Sequence, residues 1–66
     1  MKVILNGKPH TCADGCSVAQ LLESAGHAQR RVAVEVNRRI VPRSEHARHL
    51  LHEDDRIEIV HAIGGG

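Results

Sequence analysis

The chain has no phenylalanine, tyrosine or tryptophan. Its core must therefore come from Val, Ile, Leu and Ala, and stacking of nucleic-acid bases on aromatic rings is excluded. Cysteine is scarce: Cys12 and Cys16 are too few for a disulfide scaffold, which points to a reducing, cytoplasmic setting. The opening Met1-Lys2-Val3-Ile4-Leu5 has too short an apolar run for a signal peptide, and no stretch nears the roughly 20 apolar residues that span a bilayer. Excess charge is absent as well. The formal net charge is +1, so neither a nucleic acid nor a membrane is demanded as partner. Arg30, Arg31, Arg38, Arg39, Arg43 and Arg48 make the middle of the chain basic; they read as a solvated face, with a phosphate-binding stripe as the sharper alternative.

What remains is 66 residues, 41% hydrophobic and 26% charged, the balance of one small globular domain. Such a chain buries only about 60% of its unfolded surface, which argues against a deep, self-built active site and for a module that meets a larger partner. No Ser-His-Asp order, phosphate loop or dinucleotide fingerprint is present.

Val3-Ile4-Leu5 reads as a strand, and Asn6-Gly7 as a two-residue hairpin loop into a second strand over residues 8–12. Pro9 lacks a donor, which places that strand at a sheet edge. After the turn Ala13-Asp14-Gly15-Cys16, Ser17 and Gln20 have capping-box spacing, and Val18, Leu21, Leu22 and Ala25 form one helical face that Gly26 terminates. Val32, Val34 and Val36 alternate with Ala33 and Glu35, as a strand with one buried face does. Asn37-Arg38 turns into a short strand, Arg39-Ile40-Val41, ended by Pro42. Ser44 is expected to cap a helical turn through Glu45, His46 and Ala47, and Leu50 and Leu51 to tuck under the sheet. Glu53-Asp54-Asp55 is an acidic turn before a last alternating strand, residues 56–61.

The order β-β-α-β-β-β predicts an α+β, ubiquitin-like β-grasp domain over residues 1–63: a small mixed sheet with one main helix on one face. The other face is left uncovered, and apolar residues there, near Val60 and Ile63, are expected to dock a partner.

Residues 64–66 are all glycine. A run without side chains cannot pack and carries a large backbone entropy, so it reads as a thin, flexible tail. Gly64 and Gly65 can thread a channel too narrow for any Cβ, and Gly66 then presents its terminal carboxylate to chemistry inside another protein. That carboxylate is ionised at neutral pH and a poor electrophile, so it needs activation: adenylation by ATP, then displacement of AMP by sulfur to leave a thiocarboxylate. In this scheme the chain is a co-substrate and not an enzyme; it supplies the reacting atom, no catalytic residue and no cofactor.

The runs Ile4-Leu5-Asn6-Gly7, Val32-Ala33-Val34-Glu35-Val36-Asn37, Ile40-Val41-Pro42-Arg43-Ser44 and Ile57-Glu58-Ile59-Val60, with the Gly65-Gly66 end, cover nearly the whole chain in order. In these segments the sequence resembles the ThiS family, the sulfur carriers of thiamin thiazole synthesis. The resemblance implies three partners: a ThiF-type adenylating enzyme acting with ATP on Gly66, a cysteine desulfurase or sulfurtransferase as sulfur source, and thiazole synthase as sulfur acceptor. The family usually has Gly-Asp before the last strand; Asp54-Asp55 departs from that, and Asp is among the residues that tolerate the left-handed turn.

Other readings stand beside it. Cys12 and Cys16 near His10, or His46, His49 and His52 at every third residue, are candidate metal ligands, but neither set has a clear second ligand pair, so no metal site is expected. Glu35 and Glu58 fall on strand positions that face solvent or a partner. A molybdopterin or tRNA-thiolation carrier shares the mechanism. A TGS-type binding module or a lysine-joining modifier would be distinguished by deleting Gly65-Gly66 and by isopeptide adducts, respectively.

Overall fold

The computed structural model describes residues 1–27 and 31–61. Five strands, β1 (Lys2–Leu5), β2 (Lys8–Thr11), β3 (Val32–Val36), β4 (Arg39–Val41) and β5 (Arg56–His61), form one mixed sheet in the order β2-β1-β5-β3-β4. The pairing of β1 with β5 is parallel and the others are antiparallel. With the single helix α1 (Val18–Ser24) against one face, this is the β-grasp arrangement expected above. β2 carries Pro9 at the sheet edge, where its missing donor costs no ladder bond.

Both hairpin loops have the positive φ pair that a type I′ turn requires. Asn6 and Gly7 lie at φ 50° and 81°, and Asn37 and Arg38 at 51° and 70°. Asp54 takes φ 67°, so it fills the left-handed position in the acidic turn.

The helix start is fully accounted for. Gln20 N–H donates to the Ser17 hydroxyl at 3.1 Å and Ser17 N–H to the Gln20 side-chain oxygen at 2.9 Å, which completes the capping box. Val18 and Ala19 donate to the carbonyls of His49 and His46, both at 2.9 Å. The donors that a helix start leaves open thus find partners in its own cap and in the 46–49 segment. At the other end Gly26 lies at φ 83°, with His27 N–H on the Leu22 carbonyl (2.7 Å) and Gly26 N–H on the Glu23 carbonyl (3.2 Å), a Schellman ending.

The helix presents Val18, Leu21 and Leu22 to Val3, Val34, Val36, Ile57 and Ile59 of the sheet. Leu21, Val3, Val18 and Val34 are wholly buried. Truncating a leucine such as Leu21 to alanine removes about 2–5 kcal/mol, a large share of what so small a domain has.

Two local expectations are corrected. The helical turn is a 3₁₀ segment, Arg43–Glu45, whose N-cap is Pro42, with no side-chain cap bond; Ser44 lies inside it. Leu51 is buried as expected, but Leu50 is 53% exposed. Leu50 pairs with Ser17 in an isolated antiparallel bridge, and alternation along that extended piece sends neighbouring side chains opposite ways.

Candidate functional site

β5 is the element that leads into the glycine run, and it is fastened from both sides. The Asn6 side-chain oxygen accepts from Ile59 N–H at 2.8 Å. The Asn37 side-chain oxygen accepts from Arg56 N–H at 2.9 Å, while its Nδ2 donates to the Asp55 carboxylate at 2.9 Å. Along β5, Ile57 and Ile59 point into the core, so Glu58 and Val60 stand on the opposite face.

That face meets no helix among the described residues. Val60 is 56% exposed and lies opposite Ala33 of β3. One row away, Glu58 is opposite Glu35, which in turn is opposite Ile40 of β4, 63% exposed. The sheet thus carries Ala33, Val60 and Ile40 around two facing carboxylates. Like charges directly across strands disfavour the pairing, and a cation laid over them would relieve that.

Of the residues singled out in the sequence, Val60 is where it was expected, on the open face. Ile63, Gly64, Gly65 and Gly66 lie outside the described residues, as does Arg30. Ile40 was not singled out. The signal for it was present, since in Arg39-Ile40-Val41 a buried Val41 puts Ile40 on the other face. Asn6 was read only as a turn residue; its long-range bond has no local signature.

The structure does not assemble the metal readings. Among the described residues no group of three or more His, Cys, Asp and Glu side chains converges. His46 is buried with Nε2 3.0 Å from the Val41 carbonyl, whereas His52 is exposed with Nδ1 3.8 Å from Asp55. Arg31, Arg38, Arg39, Arg43 and Arg48 are exposed, and Arg48 meets Glu45 at 3.1 Å. No helix of the described residues is long and apolar enough to cross a membrane.

A five-stranded mixed sheet, one capped helix and an open apolar-acidic face define a β-grasp domain of the ubiquitin-like class. Comparison with known proteins narrows this. The ThiS family model matches residues 3–66, and the chain belongs to that family. It is 35% identical over its full length to the sulfur carrier protein ThiS of Escherichia coli, all of which it covers. It is 47% identical over 66 residues to a thiazole synthase of Magnetococcus marinus, of which it spans 20%. The crystal structure of a thiamine biosynthesis protein (ThiS) from Geobacter metallireducens superposes with a TM-score of 0.86 at 32% identity, each chain covered completely.

Proposed function

We propose that the protein is a sulfur carrier for thiamin thiazole synthesis and that Gly66 carries the sulfur. The observation that carries this reading is the end-to-end match with the Escherichia coli sulfur carrier, within a family match that runs to residue 66.

In the proposed cycle residues 64–66 form the tail of a domain spanning 1–63. Gly64 and Gly65 thread the active site of a ThiF-type enzyme. A carboxylate oxygen of Gly66 bonds to the α-phosphorus of ATP, and pyrophosphate leaves. The outer sulfur of a cysteine persulfide on a cysteine desulfurase or a sulfurtransferase then bonds to the acyl carbon as the bond to AMP breaks. A second thiol attacks the donor cysteine's sulfur, the S–S bond to the acyl sulfur breaks, and a thiocarboxylate leaves while the two thiols become a disulfide. Thiazole synthase takes the sulfur and returns the carboxylate. The Magnetococcus relative, a thiazole synthase with a segment like this chain within it, supports that last partner. All of these steps belong in the cytoplasm.

Docking falls to the open face: Val60, together with Ile63, offers apolar area, and Ile40 and Ala33 extend it. Glu35 and Glu58 select a partner surface that pairs apolar residues with arginine or lysine.

The test is direct. Incubation with ATP, the adenylating enzyme, a persulfide donor and a thiol reductant should raise the intact mass by the difference between sulfur and oxygen, and fragmentation should place the gain on Gly66. An unchanged mass with all components proved active would refute the proposal.

A further inference from the structure

Carriage on Gly66 leaves two thiols without a role. Cys12 and Cys16 are both free. They flank one turn, closed by Cys16 N–H on the Ala13 carbonyl at 3.1 Å, with Gly15 at φ 76°. The turn folds Cys16 back toward Cys12, and both line a single surface cleft of about 340 Å³ with Thr11, Asp14 and Gln20. Cys12 is half-buried, and Cys16, 6% exposed, belongs to the core. The Cys16 thiol also donates to the Ser17 carbonyl at 3.3 Å.

Two other uses of the pair fail on geometry. A tetrahedral zinc site needs further ligands, and none converge among the described residues. A relay of sulfur to the tail would start far from the end of the strand that leads into it. Cys12 N–H bonds the Met1 carbonyl at 2.9 Å, so Cys12 is level with the start of β1. Ile4 is level with Arg56. Met1 lies three residues behind that level and His61 five ahead, roughly 26 Å at about 3.3 Å per residue.

We propose that Cys12 and Cys16 are a redox modification site, forming a reversible intrachain disulfide by exchange with a low-molecular-weight disulfide of the glutathione type. Exposure sets the order of events. The Cys12 thiolate, reached through the cleft, attacks one sulfur of glutathione disulfide. A Cys12–glutathione bond forms, the glutathione S–S bond breaks, and the departing thiolate takes up the proton that Cys12 released. The Cys16 thiolate then attacks the Cys12 sulfur, and the second glutathione leaves, again collecting the proton. Two protein thiols are oxidised and one glutathione disulfide is reduced to two thiols. Burial, followed by the neighbouring Cys12, raises the pKa of the Cys16 thiol, so the second step speeds up as pH rises.

Reduced full-length protein is incubated in glutathione buffers of graded disulfide content, quenched in acid and weighed intact. The wild type should lose the mass of two hydrogen atoms and regain it with dithiothreitol. Cys16→Ala should stop at one added glutathionyl group, on Cys12. Because Cys16 lies in the core, its variant is checked by circular dichroism; Cys12→Ser, changed at the rim of the cleft, should also abolish the lighter species. Three results would overturn the proposal: a wild type that stays unmodified while a control dithiol oxidises, a wild type that halts at the mixed disulfide, or one that yields linked dimers in place of the internal bond.

Discussion

The side-chain oxygen of Asn6 accepts a hydrogen bond from the backbone N–H of Ile59 at 2.8 Å, across 53 residues of chain. β1 pairs with β5 through only Ile4 and Leu5, and Asn6 N–H adds a bond to the Ile57 carbonyl at 2.8 Å. The side chain therefore supplies one more rung after β1 has turned away. Asn37 does the same for the start of β5 from the other side. The two residues that open the hairpin loops also fasten the central strand.

Asn6→Gly keeps the positive φ and removes the acceptor. It should lower stability by about 1 kcal/mol, seen as a lower urea midpoint with an unchanged slope, and should speed hydrogen exchange at the Ile59 amide. Unaltered exchange there would show the rung to be dispensable.

Arg38 holds φ 70° with a side chain that disfavours it. Arg38→Gly recovers about 1 kcal/mol of that strain and gives back part of it as glycine entropy in the unfolded chain. The net expectation is a stabilisation of about 0.5 kcal/mol, or roughly 2–4 °C in Tm by calorimetry.

Gly65→Val should leave the circular dichroism spectrum intact and slow pyrophosphate release by the adenylating enzyme on the order of a hundredfold, because a branched side chain displaces the reacting carboxylate. Release at the normal rate would mean that no narrow channel is threaded.

Val60→Glu adds a third carboxylate beside Glu58 and Glu35 on an exposed face. Stability should change by less than about 0.5 kcal/mol. Affinity for the adenylating enzyme should fall about tenfold or more by titration calorimetry, since a charge replaces buried apolar contact. Equal affinity would take Val60 out of the docking surface.

Under reducing conditions stability should fall as pH rises above about 8.5, the ordinary value for a thiol. Burial, then the neighbouring Cys12, raises the folded pKa of Cys16. The unfolded chain therefore gives up this proton first, and the stability contributed below that pH is lost as pH climbs through the folded value. Denaturant midpoints between pH 7 and 10 measure the slope, and Cys16→Ala should reduce it, leaving the part contributed by the Met1 ammonium, whose pKa its bond to Asp14 raises.

Much of this fold was legible where a few neighbouring residues decide the outcome. Ser17 and Gln20 predicted a capping box whose two bonds both form, and Gly26 predicted the left-handed stop. Asn6-Gly7 marked a hairpin, and the valines of β3 marked a buried face. Of the candidate site, Val60 could be read from the alternation of β5, while Ile40 joined it only through register with Glu35.

Local chemistry set the strands, the main helix with both its ends, and most of the buried faces, because φ preference, capping and side-chain period act over a few residues. Tertiary structure alone decided that β5 lies between β1 and β3, that the 46–49 carbonyls complete the helix start, that Leu50 faces outward, and that Glu35 meets Glu58. Those pairings join residues far apart in the chain. They are selected by which arrangement buries the apolar faces together while leaving few backbone donors unpaired, a condition met by the whole chain at once and by no segment alone.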